Sequence, residues 1–206
     1  SKSAIKKEDQ TLINYQKIKA NPEGLNSYLK SLEVLKTSEF KLFSKDQKLA
    51  FWINAYNAYT IKITIEYYPV KSIKEVHDNH IYQRGPRYIK FIQLLQKKLS
   101  LNNIEHDIIR ETFKEPRIHF ALNCVLIGCP SLVLAPYTAL DLEQQLEQAT
   151  THFLKNEQKN KIKNNTIYLS KIFKWYGVDF KVYKEVKPFI KRYLSGVKDS
   201  YKIFRL

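Results

Sequence analysis

The stretch IHFALNCVLIGCPSL, residues 118–132, sets His119, Asn123, Cys124 and Cys129 into an otherwise apolar run, and it holds both cysteines of the chain. A thiol beside a base and an orienting polar group is the equipment of nucleophilic acyl chemistry. Read as a strand, the run puts His119, Ala121 and Asn123 on one face and Phe120, Leu122 and Cys124 on the other. A direct His119–Cys124 pair then requires the strand to end before Cys124; otherwise the base comes from elsewhere.

A base is at hand in NNIEHDIIR, residues 102–110. A helix capped by Asn103 would hold His106 in its first turn, where the positive end of the dipole favours the neutral imidazole. Glu105 is adjacent and could orient a ring. Arg110, four residues after His106, shares its face. The plain alternative is that Glu105 and Asp107 merely favour a helix N-terminus and His106 is a surface residue.

The cysteines have plain readings too: small buried apolar side chains, or a disulfide across VLIG with Gly128 permitting the turn. Free thiols are favoured. Four intervening residues fit neither a zinc pair nor a dithiol redox motif, and no second pair follows, so no metal or cofactor is expected. A third stretch, AFWINAYNAYT, spaces Asn54 and Asn57 one helical turn apart among apolar neighbours. Buried amides are costly unless hydrogen-bonded. They either tie down a neighbouring loop, with NCVLIGCP the natural candidate, or face a polar rim.

The elements that must position these residues follow from periodicity. Residues 1–50 read as helical, including EGLNSYLKSLEVL after Pro22. Ser44, with Gln47 three residues on, opens a helix that runs to about Glu66 before Pro69. HDNHIYQRGPR is a polar loop with a Gly-Pro turn, and YIKFIQLLQKKLSL offers a short strand or hairpin arm. RIHFALNCVLI reads as a buried strand. YTALDLEQQLEQATTHFLKN is a helix with Thr138 as N-cap. KNEQKNKIKNN is a solvated loop, TIYLS a strand, and KIFKWYGVDF and VKPFIKRYLSG short helices.

A chain of 206 residues buries a full core without staples. The net charge of +15 comes almost wholly from lysines spread along the chain and interleaved with acids. Nucleic-acid binding is therefore not expected. No apolar run is long enough to span a membrane. The chain starts at Ser1 and contains no Met; loss of an export signal is one explanation and trimming another.

AFWINAYNAYTI, IEHDIIR, PRIHFALNCVLIGCPSL with YTALDLEQQL, and YLSKIFKWYGVDF, in that order over about residues 45–182, resemble the DUF547 family. The resemblance implies one integrated α+β domain and carries no activity. The family has bacterial members, many of them exported, and plant members joined to coiled-coil segments, so a periplasmic or extracellular location is the expectation. It draws attention to Asn54, Asn57, Glu105, His106, Arg110, His119, Asn123, Cys124, Cys129, Trp175 and Asp179. Plant-like members tend to carry Ser at the place of Cys129, which counts against Cys129 as an obligatory nucleophile or fixed disulfide partner.

The expectation is a single α+β domain over residues 1–206. It has a helical N-terminal third and a small central sheet containing residues 117–124 and 166–170, covered by the helix from Asp141 to Phe153. Two functions stand. One is a thiol-dependent hydrolase or acyltransferase with Cys124 as nucleophile, His106 or His119 as base and Glu105 or Asn54 orienting it. In it Asn57, Arg110, Asn123 and Cys129 serve as support. The other is a binding module for a small molecule or peptide.

Overall fold

The computed structural model describes residues 4–7, 10–68, 85–124, 130–133, 135–183 and 186–205. Helices α1 (Tyr15–Ala20), α2 (Glu23–Glu33) and α3 (Thr37–Leu42) lead into the central helix α4, Lys45–Tyr67. Ser44 starts α4 as its sequence requires. Its hydroxyl accepts the Gln47 N–H at 3.1 Å, and Gln47 Oε1 accepts the Ser44 N–H at 2.7 Å, a reciprocal cap. At the other end Tyr68 is extended, the conformation a following proline imposes. The N-terminal third is not wholly helical: β1 (Ala4–Lys7) and β2 (Gln10–Ile13) pair as an antiparallel hairpin.

A second hairpin, β3 (Ile92–Leu94) with β4 (Lys97–Leu99), turns through Leu95 and Gln96 at φ 49° and 63°. Two successive left-handed residues match the right-handed twist of the strands, although Asn-Gly is the usual choice there. The same device, built from Asn164 and Asn165 at φ 49° and 56°, joins β5 (Lys161–Lys163) to β6 (Thr166–Leu169). Lys161–Lys163 is thus an exposed strand rather than loop. β7 (Lys202–Arg205) adds to β6 in parallel. The architecture is α+β.

The segment expected as the central strand, residues 117–124, is not in a sheet. After Pro116 the chain forms a short helix, α6 (Ile118–Ala121), and then becomes extended at Leu122. A short apolar run buried on all sides carries no period to separate helix from strand. The alternation that set His119 apart from Cys124 therefore does not apply.

α6 sits between two apolar clusters. Ile118, Ala121 and Leu122 belong to the one built on α2, α4 and the β3–β4 hairpin. Phe120 belongs to the other, with Phe153 of α7 (Leu142–Lys155), Ile167 and Leu169 of β6, Phe173 of α8 (Ile172–Trp175), Phe180, and Phe189 of α9 (Val186–Lys191). Asp141, not Thr138, is the N-cap residue of α7. The Thr138 hydroxyl instead accepts the Asp141 N–H at 3.1 Å and holds the preceding turn.

Asn54 and Asn57 do tie down chain. Asn57 donates to Ala121 O at 3.0 Å and accepts from Asn123 N at 2.9 Å. Asn54 does the same to Tyr137, at 2.8 and 2.9 Å. Asn123 in turn donates to Pro130 O at 2.8 Å. Two amides one turn apart on α4 thus grip residues 121–123 and 137. Replacing Asn57, which is buried, with Ala strands two backbone groups as well as losing two bonds. Urea unfolding should show a loss of about 2–4 kcal/mol; a loss within about 0.5 kcal/mol, as for an ordinary surface change, would refute the grip.

Candidate functional site

Glu105, His106 and Arg110 lie on a π-wound helix, Asn103–Arg110, continued by α5 (Glu111–Phe113). In π winding the hydrogen bond spans five residues, so Glu105 and Arg110 come onto one face; α winding would part them by about 140°. The helix does not start at Asn103. Ser100 caps it: its hydroxyl accepts the Asn103 N–H at 3.1 Å and its own N–H donates to Asn103 Oδ1 at 3.0 Å. Residues 101 and 102 are already helical, so His106 stands in the second turn, beyond the reach of the end dipole.

Glu105 is buried and accepts from three elements. Tyr56 Oη of α4 donates to Oε2 at 3.1 Å, Arg87 Nη2 to Oε2 at 2.8 Å, and Tyr176 Oη to Oε1 at 2.6 Å. Burial would raise its pKa; the Arg87 charge and the Tyr176 hydroxyl override this and hold it below the usual value. Arg87 stands in a 3-10 turn, Pro86–Tyr88, that Gly85 enters at φ 73°.

His106 lies between two guanidinium groups. Arg110 Nη1 is 2.6 Å from Nδ1 and Arg87 Nη2 is 3.1 Å from Nε2. A guanidinium only donates, so the closer contact assigns the ring lone pair to Nδ1. The proton is then on Nε2, which faces Glu105 Oε1 at 3.7 Å. His106 is held neutral, by burial first and then by Arg87 and Arg110, which outweigh Glu105. Its lone pair is already spent on Arg110.

Arg110 also grips Asp179 with two bonds, Nε to Oδ2 at 2.6 Å and Nη2 to Oδ1 at 2.7 Å. His119 Nε2 meets the same Oδ2 at 2.6 Å. Burial would raise Asp179; the bonds from His119 and Arg110 hold it far below the carboxylate range. An ionised carboxylate accepts only, so His119 carries its proton on Nε2 and leaves Nδ1 as the acceptor. Nδ1 has no hydrogen-bond partner among the described residues. Burial keeps this imidazole neutral despite Asp179.

Tyr176 is the slab on which these groups rest. Its ring stacks on His119 with centroids 3.8 Å apart and planes at 22°, and Arg110 Cζ lies 5.2 Å from its centroid. A short turn after α8 sets Tyr176 and Asp179 together, the Asp179 N–H donating to Tyr176 O at 2.9 Å. A Cβ at Gly177, between them, would come within 3.0 Å of the Phe173 carbonyl oxygen.

Glu105, His106, Arg110 and His119 are therefore brought together, and they are joined by Asp179, to which the family resemblance drew attention without giving it a role. Asn54, Asn57 and Asn123 form the separate clamp on residues 121, 123, 130 and 137. Trp175 is largely exposed. Arg87, Tyr56 and Tyr176 were not singled out in the sequence. A Gly-Pro turn and an aromatic helix were their only signals, and neither marks a site. Cys124 corrects the expectation of free thiols: it is disulfide-bonded and does not titrate. Cys129 lies outside the described residues. Among the described residues no cluster of His, Cys, Asp and Glu is placed to hold a metal ion, and no helix is long and apolar enough to cross a membrane.

A family model described as "Protein of unknown function, DUF547" matches residues 40–154. That is more than half of the chain, which belongs to this family. No curated protein and no solved structure matches it. The family match includes the Asn clamp, the π-helix and α6 but stops before Tyr176 and Asp179.

The charge states predict two stages of acid loss. Both histidines have folded pKa values below the unfolded value of 6.5, so the unfolded chain binds protons first and stability falls as pH drops below about 6.5. Glu105 and Asp179, with depressed values, contribute stability above about pH 4 that is lost below it. Urea midpoints from pH 8 to 3 should show both stages, the upper one reduced in His106→Gln. A midpoint unchanged between pH 8 and 5 would overturn the neutral assignments.

Proposed function

We propose that this DUF547 chain is a hydrolase or acyltransferase whose general base is His119, oriented by Asp179. Its nucleophile is the Cys124 thiol, set free when its disulfide is reduced. The observation that carries the reading is the 2.6 Å contact of His119 Nε2 with Asp179, which leaves the lone pair on Nδ1. A carboxylate that fixes the tautomer and orientation of a neutral imidazole is the base half of a catalytic triad. His106 does not fill that role, because Arg110 occupies its acceptor nitrogen. Cys124 lies five residues after His119, just past the end of α6. In the reaction, His119 would take the thiol proton as sulfur attacks an acyl carbon and return it to the leaving group.

The disulfide favours a second reading. A bridged sulfur is no nucleophile, and a binding module needs none. The cluster would then serve recognition, with a small molecule or peptide as ligand and the disulfide bracing the loop.

Alkylation separates the two. Without reductant, Cys124 should resist iodoacetamide. After reduction by a phosphine, peptide mapping should show Cys124 alkylated with an apparent pKa below the ordinary thiol value of about 8.5. His119→Ala should return it to that value, and Asp179→Asn should shift it part of the way. An ordinary pKa in reduced wild type, unchanged by either substitution, sinks the enzyme and leaves the binding module.

A further inference from the structure

The sheet of β5, β6 and β7 turns one face inward and one outward. Ile167 and Leu169 are buried in the apolar cluster that holds Phe120, and Ile203 packs against it. Alternation puts their chain neighbours on the opposite face. By register, Lys161, Tyr168 and Phe204 form one row across that outer face, and Lys163, Thr166 and Lys202 the next. The side chains agree. Lys161 Nζ lies 5.7 Å from the centre of the Tyr168 ring, and the Tyr168 and Phe204 rings are 5.6 Å apart, tilted by 56°. All three lysines are exposed, and Phe204 is 54% exposed.

None of these six residues is acidic, and none of the three lysines has an ion-pair partner among the described residues. Lysines spread along the chain, at 161, 163 and 202, are gathered here by the parallel pairing of β7 with β6. The face is complementary to an anionic surface that also accepts apolar groups. The interface of a bilayer containing anionic lipid is such a surface: its negative potential attracts lysines, and aromatic rings seat at the level of its headgroups. A single nucleic-acid strand stacks its bases on open ring faces instead. Here Lys161 stands over the Tyr168 ring and the two rings are tilted against each other, so they offer no pair of parallel platforms.

We propose that the outer face of the β5–β6–β7 sheet docks on a membrane surface containing anionic phospholipid. Phe204 enters the interface, and Lys161, Lys163 and Lys202 meet the headgroups. The proposal does not depend on the His119–Asp179 centre and stands whichever function that centre has.

Co-sedimentation of the whole chain with vesicles tests it at about 0.15 M salt, where the attraction between exposed charges reaches only about 8 Å. The chain should bind vesicles of equal parts phosphatidylserine and phosphatidylcholine but not those of phosphatidylcholine alone. Lys161→Gln, Lys163→Gln and Lys202→Gln combined should weaken binding on the order of a hundredfold, and Phe204→Ser about tenfold. Lys45→Gln, Lys97→Gln and Lys98→Gln combined remove the same charge from exposed positions on α4 and β4 and should change binding little. No binding to the phosphatidylserine vesicles, equal losses in the two triple variants, or unchanged binding of Phe204→Ser overturns the proposal. So does tighter binding of an oligothymidylate that is lost in Phe204→Ser, which would assign the face to single-stranded nucleic acid.

Discussion

A buried carboxylate organises this molecule. Glu105 is withdrawn from water, and an ion in that position costs several kcal/mol unless other groups replace its hydration. Tyr56, Arg87 and Tyr176 do so, from α4, from a 3-10 turn and from the end of α8. These elements are far apart in sequence and belong to different parts of the core. Their approach is enforced because a hydroxyl or guanidinium missing from its place would leave charge unsolvated.

From Glu105 the constraint passes along the π-helix. Winding that spans five residues turns Arg110 to the same side, and Arg110 binds Asp179, which binds His119. His119 is on α6, the short helix between the two apolar clusters. The polar chain thus runs along the seam where the clusters meet. Dispersion and water exclusion hold each cluster together, while directional bonds set how they face each other. His106 has a supporting part: it accepts from Arg110 and steadies the guanidinium that carries Asp179.

The Asn clamp works beside this chain by the same physics with neutral groups. Each amide satisfies one carbonyl and one N–H of irregular backbone, which is the problem a loop must solve when it passes over a buried helix. The loop carrying Cys124 therefore begins from a fixed point, Ala121 to Asn123, directly after the helix that holds His119. Chemistry-bearing residues are thereby placed by α4, whose outer turns are otherwise concerned with packing.

The sequence by itself determined the local features whose causes are local. The Ser44–Gln47 cap, the length of α4, helix α7 and strand β6 follow from side chains within a few residues of one another. The motifs in NNIEHDIIR, IHFALNC and KWYGVDF were legible as residue types suited to chemistry, and Asn54 and Asn57 as amides in need of partners. Tertiary structure alone decided what those residues face. Ile118–Ala121 is helical and buried on every side, so its apolar pattern had no period from which to read the helix. The β3–β4 turn is made by Leu95 and Gln96, which have no intrinsic preference for positive φ and adopt it because the strands they join are held by the core. The entry of Arg87, the anchoring of Glu105 by Tyr176 and the pairing of His119 with Asp179 depend on contacts between residues 18 to 71 positions apart. No spacing rule reaches that far, because such contacts are selected by the requirement that buried charges meet.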